Sequence, residues 1–293
     1  MPSRREFLSI MAAGIGAPLA RATAAFGRIA EIPSALNGTI GLQLWSLRTY
    51  LPSDLAGTLA KIRAFGFRDV EGAGLWKHTA ADLRSALDAA GLRCQSAHMD
   101  YDRLRDDAAG ALAEARALGA TWVVCPWIDH DGPFTRDTTM AAAETFNTVG
   151  KAAAGAGMRF AYHCHGYEFV PAPEGTLFDT LAGATDPATV TFQVDVFHAY
   201  YGGADPAALI AKYASRVTSL HLKDLKKGVT VVAGTPIAPP EVDVPVGSGQ
   251  IDMPAVLRAA KAAGVGLYYI EDESNDPMTH IPASVAYLEH VRV

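Results

Sequence analysis

From residue 38 onward, short apolar runs alternate with longer alanine-rich stretches. The apolar runs are Ile40–Leu44, Phe67–Val70, Cys94–His98, Trp122–Cys125, Arg159–His163, Val190–Val194, Val217–Leu222 and Leu267–Glu271. Between them lie Leu55–Phe65, Leu83–Ala90, Ala108–Leu118, Met140–Ala156, Pro206–Ala214 and Pro254–Ala263, where apolar positions recur at helical spacing. Gly66, Gly91, Gly119, Gly157 and Gly264 stand just before the next strand, as helix stops do. Asp54, Asp82 and Asp205 precede helical stretches and read as N-caps. Alternation that reaches eight strands predicts an α/β fold, a single closed (β/α)8 barrel over residues 38–293, rather than an open sheet.

Barrels of this kind place their chemistry where the strands end. Glu71 follows the second strand, His98 closes the third, Cys125-Pro126-Trp127 closes the fourth, and His163 and His165 stand at the fifth. Asp195, His221 and Glu271 occupy the corresponding ends of strands six, seven and eight. His163, Asp195, His221 and Glu271 together form a mixed nitrogen and oxygen ligand set suited to one divalent ion such as Mn, Zn, Co or Fe. The longest connection, 223–250, carries Pro236, Pro239, Pro240, Pro245 and Gly247-Ser248-Gly249, and at the catalytic end it is a candidate lid.

Composition narrows the choices. The 293 residues are 49% hydrophobic and 19% charged with a net charge of −6, so disorder is excluded and a nucleic-acid partner is disfavoured. Cys94, Cys125 and Cys164 lie in strand-like apolar contexts and read as buried thiols. Arg4-Arg5 precedes a short apolar stretch, and Ala20-Arg21-Ala22 and Ala22-Thr23-Ala24 both offer a cleavage pattern. Residues 1–24 therefore read as a twin-arginine export signal, 25–37 as a linker, and the mature protein as periplasmic. That stretch is too short to span a bilayer and no other run approaches that length, so no membrane insertion of the mature chain is expected.

Four segments carry a resemblance. Tyr162-His163-Cys164-His165-Gly166-Tyr167-Glu168-Phe169, Gln193-Val194-Asp195-Val196-Phe197-His198, Leu220-His221-Leu222-Lys223-Asp224 and Gly247-Ser248-Gly249-Gln250-Ile251-Asp252 resemble the xylose-isomerase-like TIM-barrel superfamily and its sugar phosphate isomerase/epimerase branch. The resemblance implies a metal set of Glu, Asp, His and Glu at the ends of strands five to eight. Asp195, His221 and Glu271 match it, while His163 replaces the first glutamate, as on the inosose-dehydratase and keto-glycoside-lyase side of the superfamily. It further implies a metal-dependent enzyme that removes an α-proton from a keto-sugar, keto-glycoside or cyclitol through an enediolate, followed by β-elimination or isomerisation.

In that chemistry Glu271 or His165 is the expected general base, and Lys223, on the same strand face as His221, the expected oxyanion partner. Glu71, His98, Trp127, Glu168 and His198 are the expected substrate contacts, with Glu168 also able to orient a ligand histidine. Trp45, Trp76 and Trp127 offer faces for a sugar ring, whereas His78, His130, His280 and His290 read as surface positions. Two other readings stand beside the lyase: an aldose–ketose isomerase or epimerase on free sugars, and an exported sugar-binding barrel without catalysis. The endonuclease branch of the superfamily is disfavoured, because its Asp-x-His pair beyond strand seven is missing. The sequence leaves an oligomer open.

Overall fold

The computed structural model describes residue 36 and residues 38–293, so the expected export signal and nearly all of the linker lie outside the described residues. Eight parallel strands close into one barrel in chain order. They are β1 Thr39–Gln43, β2 Asp69–Ala73, β3 Arg93–His98, β4 Trp122–Cys125, β5 Arg159–His163, β6 Val190–Asp195, β7 Val217–Leu222 and β8 Leu267–Ile270. Outside run α1 Leu55–Ala64, α2 Ala80–Ala90, α3 Tyr101–Asp106, α4 Ala108–Leu118 and α5 Arg136–Gly155. They are followed by α6 Leu177–Ala184, α7 Val196–Tyr201, α8 Pro206–Lys212, α9 Met253–Ala263 and α10 Pro277–His290. No helix among the described residues is long and apolar enough to cross a membrane.

The expected (β/α)8 barrel is therefore the observed fold, with local differences. The second strand begins later than Phe67 and runs past Glu71 to Ala73, which puts Glu71 inside the strand rather than beyond it. Helix α2 starts a turn earlier than expected: Thr79 caps it, accepting from the Asp82 N–H at 3.1 Å, so Asp82 is a first-turn residue and not the cap. Asp54 and Asp205 are caps as expected. Helix α6 escaped the periodicity because its Leu177, Phe178, Thr180, Leu181 and Ala182 are all buried and leave little polar face to mark a period.

The core has two layers. Outward-facing strand residues meet the helices, as where Phe146 of α5 packs on Phe160 and Tyr162 of β5 with ring centroids 5.3 and 5.0 Å apart. Inside the barrel, Tyr269 fills the space over Gly41, where any added Cβ would sit 2.8 Å from the tyrosine ring. Cys94, Cys125 and Cys164 are free and buried.

The long connection after β7 is anchored at its root. Asp224–Leu225 pairs antiparallel with Asp243–Val244. The Asp224 carboxylate accepts N–H bonds from Gly247 and Gly249 at 2.9 Å each, from Leu225 at 2.9 Å and from Ile251 at 3.2 Å. Gly249 is required there, since a Cβ would lie 2.2 Å from Asp224 Oδ1. Asp224→Ala strands these donors, of which those of Leu225 and Ile251 are buried, and is expected to cost about 3 kcal/mol in urea-induced unfolding, with Asp224→Asn losing about half as much. An unchanged midpoint for Asp224→Ala would show that the loop root contributes nothing to stability.

Candidate active site

Alternate residues of a strand face the same side. Gln193 and Asp195 on β6, His221 and Lys223 at β7, and Glu271 and Glu273 after β8 are therefore paired, one deeper in the barrel and one nearer its mouth. Register brings Asp195 beside His221 and His163 beside Gln193. His163, Asp195, His221 and Glu271 are all buried, and each offers one ligand atom within 4.8 Å of the others.

Asp195 owes its orientation to the helix that follows it. It is the N-cap of α7, where Oδ1 accepts the His198 N–H at 2.7 Å and satisfies an otherwise orphaned helix donor. That bond turns Oδ2 toward the barrel axis, 3.8 Å from His221 Nδ1, buried and without a hydrogen-bond partner. His221 lies between two carboxylates, with Nε2 2.5 Å from Glu71 and Nδ1 2.9 Å from Glu271. Burial alone would push its pKa down; Glu271 and Glu71 outweigh burial and raise it to about 10.

Lys223 is fully buried. Its ammonium pairs with Glu273, with Glu271 at 3.3 Å and with Asp195 at 3.7 Å, and lies 3.2 Å from His198 Nε2. Burial opposes the charge, but Glu271, Glu273 and Asp195 hold the lysine pKa well above its usual range. The same contacts, led by Lys223, hold Glu271 and Glu273 low against burial. His163 and His165 go the other way: burial first, then neighbouring His221 and His165 for one and His198 and Lys223 for the other, keep both imidazoles neutral.

Beneath these groups lies a polar floor. Glu71 is fully buried and accepts from Ser96 Oγ at 2.5 Å, Gln43 Nε2 at 2.8 Å and Gln193 Nε2 at 2.9 Å. Burial opposes its charge, but His98 and then His221 hold its carboxyl well below the usual range. Gln193 Oε1 accepts from His163 Nδ1 and His98 Nε2, both at 3.0 Å.

Above the floor a cavity of about 530 Å³ opens between the strand ends, lined among others by Trp45, His98, Trp127, His165, His198 and Glu273. Ile237, 65% exposed on the long loop, also lines it. His163 and Glu271 reach the cavity, while Asp195, His221 and Lys223 lie deeper. Glu71 and Glu168, expected as substrate contacts, are fully buried and do not line this cavity. Glu71 is drawn below His221 by the extra length of β2. Glu168 sits behind His165, accepting its backbone N–H at 3.0 Å and the Tyr162 hydroxyl. Trp45, 43% exposed, packs on Trp76 with centroids 6.1 Å apart.

Two histidines expected at the surface are partly buried: His130 stacks on Trp127 at 5.6 Å, and His280 Nδ1 meets Asp272 at 3.1 Å. Gln43, Gln193 and Glu273 escaped the sequence reading. The signal for two of them was present, because Gln193 stands two residues before Asp195 and Glu273 two after Glu271.

The donor set fits a divalent cation. Two imidazoles and two carboxylates converge, and the buried Asp195 Oδ2 has no hydrogen-bond partner.

Residues 59–291 match the family model described as xylose isomerase-like TIM barrel. Over 174 residues the chain is 28% identical to an inosose dehydratase of Geobacillus thermodenitrificans (strain NG80-2), a match covering 55% of each protein. The chain thus spans about half the length of that curated relative. The structure is similar to that of a sugar phosphate isomerase/epimerase from Parabacteroides distasonis ATCC 8503, with TM-score 0.71 and 25% identity over 89% of this chain and 96% of the other. It shares its fold with an IOLI protein whose crystal structure contains zinc, at TM-score 0.62 and 15% identity over 86% and 95% of the two chains.

Glu168 supplies a pH-dependent test of the site's rear wall. Burial raises its pKa from 4.5 to about 7, against the pull of Tyr162 and the His165 N–H. The folded protein therefore binds this proton more tightly than the unfolded chain. The associated stability is full below about pH 4.5 and is lost as pH rises through about 7, a change on the order of 3 kcal/mol. Glu168→Gln is expected to flatten that slope in unfolding midpoints measured from pH 4.5 to 8. Parallel pH profiles for the two proteins would refute the assignment.

Proposed function

Because the chain belongs to the xylose isomerase-like TIM-barrel family, we propose that it is a divalent-metal-dependent enzyme removing an α-proton from a keto-sugar, keto-glycoside or keto-cyclitol, with β-elimination as the outcome. The observation that carries this reading is the convergence of His163, Asp195, His221 and Glu271 within 4.8 Å at the floor of a cavity with tryptophan in its walls. These four residues would hold the ion. When bound, it supplies a Lewis acid that polarises a substrate carbonyl and lowers the pKa of the adjacent C–H.

The chain's own groups divide the remaining work. Glu271, kept ionised by Lys223 and His221, acts as ligand. His165 is neutral, lines the cavity and has a buried Nδ1 without a partner, which suits it to accept the α-proton. Lys223 lies below the cavity lining, so in place of the expected direct contact with a substrate oxygen its ammonium acts through Glu271 and Glu273, which it keeps ionised. Trp45 and Trp127 supply apolar faces for a ring, and the cavity's size leaves room for a glycoside as well as a cyclitol. His163 in place of a carboxylate favours a one-directional elimination over epimerisation, which needs matched bases on both substrate faces.

Metal analysis of purified protein is expected to find about one equivalent of Mn, Zn, Co or Fe, absent from a His221→Ala/Glu271→Ala double variant. With a keto-glycoside the wild type should generate an enone absorbing in the ultraviolet, and His165→Gln should lower kcat about 10²- to 10⁴-fold while retaining metal. Interconversion of free sugars without elimination would favour the isomerase, and no metal even after reconstitution would favour the binding barrel.

Export through the twin-arginine route is part of the proposal, supported by Arg4-Arg5 and the Ala22-Thr23-Ala24 pattern. Replacing both arginines by lysine is expected to leave the protein in the cytoplasm on cell fractionation. Unaltered periplasmic recovery would remove this part of the reading.

A further inference from the structure

One amide lies at the meeting point of three strands. The orientation of Gln193 is fixed by chemistry: its Nε2 faces Glu71 Oε1 at 2.9 Å, and the flipped amide would set its carbonyl oxygen against a carboxylate. Its Oε1 therefore points the other way, where it lies 3.0 Å from His163 Nδ1 and 3.0 Å from His98 Nε2. An amide oxygen has two lone pairs and no proton, so it accepts from both rings. His98 Nε2 also lies 3.1 Å from a second acceptor, Glu71 Oε2, so the hydrogen is assigned to this nitrogen. The remaining acceptor on the floor, Glu71 Oε2, takes the Nε2 proton of His221 at 2.5 Å.

We propose that Gln193 and Glu71 are positioning residues that select the tautomers of the two ligand histidines. Gln193 fixes the hydrogen of His163 on Nδ1 and leaves the Nε2 lone pair for a cation. Glu71 keeps the Nε2 hydrogen of His221, so a cation would take Nδ1, displacing the hydrogen that Nδ1 otherwise gives to Glu271. The two histidines thus bind through different nitrogens, and the amide that joins Glu71 to His163 keeps both choices in step. The geometry requires a donor and an acceptor at residue 193 at once, which an aliphatic side chain of equal length cannot provide.

This inference rests on the metal-dependent reading above, and the test separates the two. Metal-stripped protein labelled with ¹⁵N-histidine is examined by long-range ¹H–¹⁵N correlation spectra, and Zn²⁺ affinity is measured by competition with a fluorescent chelator. In the wild type His163 is expected as the Nδ1–H form. In Gln193→Met it should shift toward Nε2–H, with Zn²⁺ binding 10- to 100-fold weaker. Gln193→Glu is the rescue: beside the Glu71 carboxylate the new carboxyl holds a proton, and so donates and accepts as the amide did. It should restore the Nδ1–H form and most of the affinity.

Circular dichroism and thermal midpoints exclude unfolding as the cause, and the wild-type His163 tautomer carries the test if the Met variant fails to fold. A wild-type His163 protonated on Nε2, or Gln193→Met and Gln193→Glu both binding Zn²⁺ like the wild type, would overturn this inference while leaving metal dependence intact. Failure of the wild type to bind Zn²⁺ would overturn both.

Discussion

A charge taken out of water must meet its opposite, or it destabilises the fold by several kcal/mol. That constraint governs the mouth of this barrel. Lys223 is buried on all sides and is tolerated because Glu271, Glu273 and Asp195 surround its ammonium. Glu271 and Glu273 in turn remain ionised inside the protein, chiefly because Lys223 is there. None of these residues can be understood alone. Glu273 holds the lysine, the lysine helps to hold Glu271, and Glu271 shares His221 with Glu71. The network runs from the rim to the floor and ties β2, β6 and β7 to the segment following β8.

Economy of structure appears at Asp195. A helix beginning immediately after a strand needs a side chain to accept its first N–H groups, and an aspartate does this well. The same carboxylate has a second oxygen, and a strand end in a closed barrel aims it inward. Folding and function therefore ask for the same residue, and the helix fixes the orientation that a ligand would need. Something similar holds at Glu168, whose hydrogen bond to the His165 N–H shapes the turn that carries two of the site's histidines.

Much of this was legible beforehand, for physical reasons. Strand–helix alternation and glycine stops are local signals, and they give the barrel. Strand-end imidazoles and carboxylates at His163, Asp195, His221 and Glu271 then had to converge, because a closed parallel barrel brings every strand's C-terminal end to one rim. What stayed hidden depends on register. The β2–β3 ladder shifts between Val70 and Glu71, and the β6–β7 ladder shifts between Phe192 and Gln193. Such bulges re-aim the side chains beside them, and here they lie next to the two residues that form the floor. No local pattern in the chain marks either one. Gln43 and Gln193 escaped for a further reason: an amide carries no charge and suggests no chemistry until its neighbours are known. Glu273 lies beyond the last strand, where a carboxylate normally faces solvent.

The resulting site is lopsided. Along β7 and after β8 it is charged, with Lys223, Glu271 and Glu273 locked in ion pairs. Along β5 it is neutral, with burial keeping His163 and His165 uncharged and their rings 5.0 Å apart. A reaction that moves a proton from one face of a carbon to the other works best between like groups, since each must act as acid and base in turn. A reaction that removes a proton on one side and expels a group elsewhere has no such need. A wall of fixed, ion-paired charge facing an uncharged wall that can take up a proton is the arrangement such a reaction uses. The replacement of one carboxylate by His163 is therefore more than a change of ligand, because it alters the balance of charge across the cavity and with it the direction the chemistry is built to run.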